Sequence, residues 1–380
     1  MRFTTGFILV ITAGLIGCGG GGGSGGSNVT PSASLQGNPV NTVAPDIATY
    51  DYSLGTPSNE ADARTALYDT SLFSLPYTSV YGSPSFASLS AANNSINSGQ
   101  DPRPSRDTNA TQAWARGWSG KGVDVRIVDD FNSNGQIDTH GDSVSLVVHF
   151  VAPEANQGAV DLGDYGSFSF DAGITANNTA FADGFEIVNN SWGVIRDADY
   201  NDAFDSELAA YVANFNPASQ PTGPQALSVW AAGNNAAECE SLVGSRRLED
   251  CEFLAATVAA LRDQGETAGE NYLWVGAVQD NADIITDYSL EAGALALDFL
   301  VANDDVLATG DAAGTSFAAP RVAGAAALVK QKFPNLNTQQ LKQVLLQTAT
   351  DLGLSGPDSV YGYGKLNINS ALSPIGGLSP

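Results

Sequence analysis

A serine at the start of an apolar run of small residues is the feature of this sequence that most directly suggests chemistry. The run begins at Gly314-Thr315-Ser316 and continues to Val329. It predicts a loop that leads into a buried helix with Ser316 at its mouth, and we expect Pro320 in the first helical turn. Backbone N–H groups and the helix dipole would stabilise an oxyanion beside Ser316. The alternative is an Ala-rich core helix with an ordinary N-cap.

A serine hydroxyl becomes a nucleophile only with a base within hydrogen-bond reach, and that base needs a carboxylate to orient it. The chain contains two histidines, His140 and His149. His140 precedes an apolar segment, and His149 lies later on the same segment. If an imidazole activates Ser316, one of these two histidines is the base, and we expect the other to be structural.

Strand and helix patterns alternate along the chain after residue 109 and predict the scaffold for these side chains. Strands are expected at residues 123–128, 185–190, 226–232 and 272–278, and helices at residues 109–116, 203–214 and 337–348, the last with a capping-box-like start at Asn337 and Gln340. Residues 143–150 are apolar and could form a helix or a strand. This alternation predicts an α/β fold with a parallel sheet covered on both faces. Active sites on such sheets gather at the carboxyl ends of the strands, and Asp129, Asn190-Ser191 and Gly233-Asn234 fall at predicted strand ends.

The segment Gly314-Thr315-Ser316-Phe317-Ala318-Ala319-Pro320 resembles the serine motif of the subtilisin-like serine proteases, the subtilases of peptidase type S8. Other segments resemble motifs of that family in the family's own order. They are the strand Gly122–Asp129, His140-Gly141 with Val144, Val151–Ala155, Asn189–Gly193, Ala231–Asn234 and Tyr363–Asn367. The resemblance implies a subtilisin-like three-layer fold over residues 108–376, with a central, mostly parallel sheet and helices on both faces. It also implies that residues 143–150 form a helix.

The resemblance also implies a role for each matching residue. Asp129, His140 and Ser316 would form the catalytic triad, and Asn234 with the Ser316 N–H would form the oxyanion hole. Two segments would offer backbone to an extended peptide, which adds as a strand. They are Ser191, Trp192 and Gly193, and Ala232 with Gly233. The Trp192 side chain itself is either part of this surface or simply core.

The sequence departs from the family at the aspartate motif. Asp130-Phe131 follows Asp129 where a small hydroxyl residue and glycine are usual, so Asp130 could compete for the triad role. Ser143 replaces the usual second histidine. These departures affect the expected efficiency and specificity more than the reaction type.

The loop after Asp129 has the spacing of a calcium loop over part of its length. Asp130, Asn132, Asn134 and Asp138 could supply oxygen ligands. The closing bidentate Glu is absent, because Gly141 stands at its place. A plain Asx-rich turn is favoured over structural calcium, and catalysis would require no cofactor.

Length and charge limit the remaining function classes. The 380 residues suffice for one large α/β domain and a tail. The formal net charge of −25 argues against nucleic-acid binding, which needs clustered Lys and Arg. We expect a monomer that acts on protein or peptide substrates.

The N-terminus has the features of a lipoprotein signal. An apolar run from Phe7 to Ile16 is too short to span a bilayer, and Leu15-Ile16-Gly17-Cys18 resembles a bacterial lipobox. We expect a signal peptide at residues 1–17, a lipid on Cys18 and a Gly/Ser-rich tether to residue 45. The alternative is an ordinary secretory signal. Residues 46–107 are predicted to form an irregular arm. We expect the protein to be located in the bacterial cell envelope, at the outer membrane or cell surface.

The other cysteines, Cys239 and Cys251, form an even pair in a chain that we expect to be exported. One disulfide that closes a loop of about a dozen residues is the favoured interpretation, and two free buried thiols are the alternative. A metal site is disfavoured, because no further ligands are spaced nearby.

Two functional hypotheses follow. The first is a lipid-anchored serine endopeptidase that works through an acyl-enzyme. The second, motivated by the irregular aspartate motif, is a catalytically weak or inactive surface protein that binds peptides or a partner.

Overall fold

The computed structural model describes residues 107–131, 140–162, 185–194, 226–279, 282–304 and 313–374. The lipobox, the tether, the arm up to residue 106 and the helix expected at 203–214 lie outside these residues. Among the described helices, none combines the length and apolarity needed to cross a bilayer.

The described residues form one parallel sheet surrounded by helices. The strands are β1 (Asp124–Asp129), β2 (Asn156–Asp161), β3 (Ile187–Asn190), β4 (Leu227–Ala231), β5 (Tyr272–Val278) and β6 (Phe299–Asn303). The helices are α1 (Ala110–Ala115), α2 (His140–Val151), α3 (Ala236–Val243), α4 (Leu248–Cys251), α5 (Phe253–Asp263), α6 (Thr315–Lys332), α7 (Thr338–Gln347) and α8 (Ile368–Ala371). A 3₁₀ segment, Gly293–Asp298, leads into β6.

The strand order is β2-β1-β3-β4-β5-β6, and each neighbouring pair is parallel. Successive residues of each strand contribute to opposite faces, as the pleat requires. Leu273 and Val275 belong to the apolar cluster shared with α2 and α6, whereas Trp274 between them belongs to the cluster shared with α5. This arrangement confirms the expected α/β fold with helices on both faces of a parallel sheet.

Several local predictions are confirmed. Strand β5 has the expected bounds, and Asn337 and Gln340 form a reciprocal capping box at the start of α7. The helix expected at residues 143–150 begins earlier, at His140 itself. The prediction that Pro320 lies in the first helical turn was wrong, because α6 begins at Thr315 and Pro320 lies beyond that turn.

The chain between β4 and β5 carries three helices, and a disulfide joins two of them. The Cys239 sulfur on α3 is bonded to the Cys251 sulfur at the end of α4, with Cα atoms 5.9 Å apart. Both cysteines are buried. The disulfide therefore closes a loop of 12 residues from the middle of α3 to the end of α4.

Candidate active site

A buried carboxylate and an imidazole meet where β1 ends and α2 begins. The Asp129 Oδ1 atom lies 2.8 Å from the Nδ1 atom of His140, and the Asp130 N–H donates to the same oxygen at 2.8 Å. Asp129 has no solvent exposure and His140 is 5% exposed. This contact orients the ring and directs its Nδ1 proton towards the carboxylate.

The carboxylates beside His140 stabilise its protonated form. Burial lowers the pKa of His140, but attraction and hydrogen bonding to Asp129, together with the charge of Asp130, raise it by more. The net pKa therefore lies above the ordinary histidine value.

Asp130 and Phe131, the residues that depart from the expected motif, pack against the start of α2. The Gly141 N–H donates to the Asp130 carbonyl at 3.1 Å and approaches its Oδ1 at 3.3 Å. A Cβ atom at Gly141 would lie 2.8 Å from the Phe131 ring, so the close packing requires glycine there. Asp129, and not Asp130, therefore makes the hydrogen bond to His140.

Ser316 is the second residue of α6, so its N–H belongs to a first turn whose amides lack partners earlier in the helix. Its hydroxyl donates to the Ser191 carbonyl at 3.1 Å. The ring of Phe317, the next residue, lies 5.5 Å from the His140 ring between centroids. The start of α6 and the imidazole are therefore neighbours, and in this conformation the hydroxyl points at the Ser191 oxygen.

The side-chain amide of Asn234 is oriented by Thr315. Both the N–H and the hydroxyl of Thr315 lie 2.9 Å from the Asn234 Oδ1 atom. A backbone N–H can only donate, so the Asn234 oxygen must face Thr315, and its NH₂ group is directed elsewhere. A Cβ atom at Gly314 would lie 3.1 Å from that nitrogen. Sequence reasoning did not assign this orienting role to Thr315.

The segments expected to bind substrate lie at the ends of β3 and β4. Gly233 has a φ of 114°, which favours glycine, and its N–H donates to the Thr315 hydroxyl at 3.0 Å. Ala232 is fully buried. Trp192 is 4% exposed and packs edge-on against Trp230, with centroids 4.9 Å apart. The Trp192 side chain is thus part of the core, and only the backbone of this residue is left to form hydrogen bonds with a peptide.

Glu252 holds the end of the segment that is expected to bind substrate, a contact that was not predicted from the sequence. Its carboxylate accepts from the Ala255 N–H at 2.7 Å, as the N-cap of α5, and from the Val194 N–H at 3.3 Å. The Phe253 N–H donates back to the Val194 carbonyl. In the sequence, an acidic residue just before an apolar helix indicates an N-cap. Nothing in the sequence indicates its second partner, Val194, which lies 58 residues earlier.

His149 lies on α2 away from the Asp129 contact and is 3% exposed. Burial lowers its pKa to about 4, and a hydrogen bond to the Pro153 backbone opposes that shift. A neutral, buried imidazole of this kind agrees with the structural role expected from the sequence.

One group of potential metal ligands occurs among the described residues. Asp129, Asp130 and His140 offer ligand atoms within 4.8 Å of one another. The hydrogen bond between Asp129 and His140 already accounts for this grouping. Asn132, Asn134 and Asp138 of the suggested calcium loop lie outside the described residues, so the favoured Asx-rich turn and the alternative of structural calcium both stay untested.

Short stretches of the chain are similar to proteins of known name. A 64-residue stretch is 44% identical to an extracellular serine protease of Serratia marcescens, covering 17% of this chain and 6% of that protein. A 61-residue stretch is 48% identical to the neisserial autotransporter lipoprotein NalP of Neisseria meningitidis, covering 16% and 6%. A 58-residue stretch is 48% identical to subtilisin DY of Bacillus licheniformis, covering 15% and 20%. The matched stretches thus span only a small part of these relatives.

Among solved structures, a lanthipeptide protease superposes with a TM-score of 0.52 at 19% identity, covering 72% of this chain and 93% of that one. This likeness concerns the fold. The sequence profile of the subtilase family, Peptidase S8, matches residues 129–364, which is more than half of the chain and extends from Asp129 past the serine helix. Because this profile covers more than half of the chain, the chain belongs to the subtilase family.

Proposed function

We propose that this protein is a serine endopeptidase in which Asp129, His140 and Ser316 form the catalytic triad. The observation that carries the proposal is the buried 2.8 Å contact between Asp129 and His140, beside the helix whose second residue is Ser316. With its Nδ1 proton held by Asp129, the imidazole has Nε2 free to accept the Ser316 proton as the hydroxyl attacks a peptide carbonyl.

The proposed attack requires the Ser316 hydroxyl to turn from the Ser191 carbonyl to the imidazole. Catalytic hydrogen bonds in structures without substrate are often long or misaligned and tighten only in the reacting complex. The oxyanion would be stabilised by the NH₂ group of Asn234 and the N–H of Ser316. His140 would return its proton to the leaving amine, and water would then hydrolyse the acyl-enzyme.

Substrate would bind as an extended strand against the backbone of Ser191–Gly193 and of Ala232-Gly233. Every group in this scheme belongs to the chain itself, so we propose catalysis without a cofactor. We also propose that the enzyme is a monomer. As the base must be neutral, activity should decline when the pH falls through the raised pKa of His140.

We further propose export and anchoring through a lipid on Cys18. The support is the Leu15–Cys18 lipobox, the glycine-rich tether after it and the partial similarity to a relative that is named a lipoprotein. Intact-mass measurement of protein extracted from membranes tests this proposal. An unmodified Cys18 at the new N-terminus, or a retained signal peptide, would contradict it.

Fluorophosphonate labelling tests the triad. The parent protein should be labelled at Ser316 and should hydrolyse casein. Ser316→Ala should lose both properties while keeping its unfolding transition, and Ser355→Ala, a change of an exposed serine, should keep both. Casein hydrolysis by Ser316→Ala at the parent rate would refute the assignment.

A catalytically inactive, peptide-binding protein is the second candidate. It is favoured by one observation, the hydrogen bond from the Ser316 hydroxyl to the Ser191 carbonyl in place of the imidazole. A folded parent that binds peptides but resists fluorophosphonate at every pH from 6 to 10, chosen to span histidine titration, would establish this alternative.

A further inference from the structure

The carbonyl of Ser316 lacks the donor that a regular helix would supply. In α6 the amide of residue 320 would pair with it, but residue 320 is proline and has no N–H. The Ser191 hydroxyl fills that place, with its oxygen 2.7 Å from the Ser316 carbonyl oxygen. A single side chain from another strand end therefore holds the main chain of the proposed nucleophile.

Asn189 holds the hydroxyl that makes that hydrogen bond. Its Nδ2 atom lies 2.9 Å from the Ser191 Oγ atom, and Asn189 has no solvent exposure. An amide NH₂ group only donates, and a hydroxyl has one proton. The Ser316 carbonyl can only accept, so Ser191 donates its proton to that carbonyl, while its oxygen accepts from Asn189 and is held in place by it.

The side chain of the next residue, Asn190, lies on the opposite face of the sheet. The Asn190 Nδ2 atom donates to the Ser228 hydroxyl at 3.0 Å, and its Oδ1 accepts from the Trp192 indole at 3.2 Å. This follows from the alternation of side chains along β3. Of this pair, Asn189 is the residue linked to Ser316.

We propose that Asn189 is a positioning residue of this active site, which acts through Ser191 to fix the backbone of Ser316. The inference rests on the proposed protease function. It extends that function, because the position of the Ser316 backbone determines where both its N–H and its hydroxyl meet the reacting carbonyl. Ser191 also accepts the Ser316 hydroxyl bond, so the two serines are joined in both directions.

The experiment compares Asn189→Leu, Ser191→Ala and the double variant, each at known active-site concentration. Loss of one buried hydrogen bond predicts a fall of about 3- to 10-fold in kcat and in the fluorophosphonate labelling rate, with KM nearly unchanged. If Asn189 acts through Ser191, the double variant should be no slower than Ser191→Ala alone.

Pro320→Ala provides a second, independent arm. It restores an N–H to pair with the Ser316 carbonyl, so the Ser191 bond becomes redundant. Ser191→Ala should then cost much less kcat in the Pro320→Ala background than in the parent. This arm remains decisive even where Asn189→Leu does not fold.

Asn271→Leu is the matched control. Asn271 is also buried and donates to the Ala226 carbonyl at 3.1 Å, but it lies at the amino end of β5, away from the site. It should lower the unfolding midpoint without changing kcat per active site.

Three results would overturn the inference. They are a parent-like kcat for Asn189→Leu, multiplicative losses in the double variant, or an undiminished cost of Ser191→Ala beside Pro320→Ala. An active parent with any of these results leaves the protease assignment standing. A parent that neither hydrolyses casein nor is labelled removes both.

Discussion

Two buried titratable side chains should make the stability of this fold depend on pH in opposite directions. Burial lowers the pKa of His149 to about 4 from an ordinary 6.5, and raises that of Glu252 to about 7 from an ordinary 4.5. Each residue is 3% exposed. Each shift makes the neutral form the preferred one in the folded protein.

The sign for each group follows from proton linkage. Between pH 6.5 and 4 the unfolded chain binds a proton at His149 that the folded chain does not, so falling pH removes stability. Between pH 4.5 and 7 the folded chain holds a proton at Glu252 that the unfolded chain has lost, so rising pH removes stability. Each shift spans about 2.5 units, which at 1.36 kcal/mol per unit is about 3 kcal/mol.

The two contributions should nearly cancel between pH 4.5 and 6.5, and single substitutions should separate them. His149→Gln removes one titration while keeping a donor, and Glu252→Gln removes the other. Relative to the parent, the free energy of unfolding should fall by about 1.4 kcal/mol per pH unit on going up in pH for His149→Gln, and should rise by the same slope for Glu252→Gln.

The assay is urea unfolding at half-unit pH steps, with every protein in the Ser316→Ala background to prevent self-cleavage. When the free energy of unfolding of the parent is subtracted from that of a variant, the contributions of all other titrating groups cancel. A constant offset caused by the substitution itself does not affect the slope. Curves for both variants that run parallel to the parent from pH 4.5 to 6.5 would refute the reasoning.

Three further predictions concern the ion pair between Asp107 and Arg321 of α6, the aspartate motif and the disulfide. Asp107→Ala should cost about 3 to 5 kcal/mol in urea unfolding, because it removes the carboxylate 2.8 Å from the fully buried Arg321 guanidinium; an equal stability of variant and parent would contradict this. Asp130→Asn should move the acid limb of kcat/KM to lower pH, since Asp130 raises the pKa of His140; an unmoved limb would show that Asp130 does not act on the imidazole. Cys239→Ala should lower stability by about 3 kcal/mol, the value for a loop of about a dozen residues, and reductant should then destabilise the parent but not the variant.

Much of the scaffold could be predicted from local patterns, because the information lies within each segment. The apolar run 272–278 is long enough for one buried strand, and Asn337 with Gln340 caps α7 through atoms three residues apart. The position of α2 was predicted only in part, since the helix starts at the histidine itself. The expected α/β layering followed from strands and helices that alternate along the chain.

The site itself was only partly predictable. Asp129 and His140 were paired from motif order, and the structure gives their 2.8 Å contact. The orienting role of Thr315 and the support from Glu252 were missed. Each of these two roles depends on a partner more than 50 residues away in the sequence, and a threonine or a glutamate gives no indication of which distant residue it will contact.

Sequence alone determined that a serine stands before an apolar helix, that two histidines compete for one role, and that strand ends carry polar residues. Only the tertiary structure decided which groups meet. Pro320 illustrates the difference: its lack of an N–H is a property of the chain, but the hydroxyl that replaces this donor comes from Ser191, 125 residues before Ser316. Local propensity depends on near neighbours, whereas hydrogen-bond partners in a core are selected by packing between distant segments.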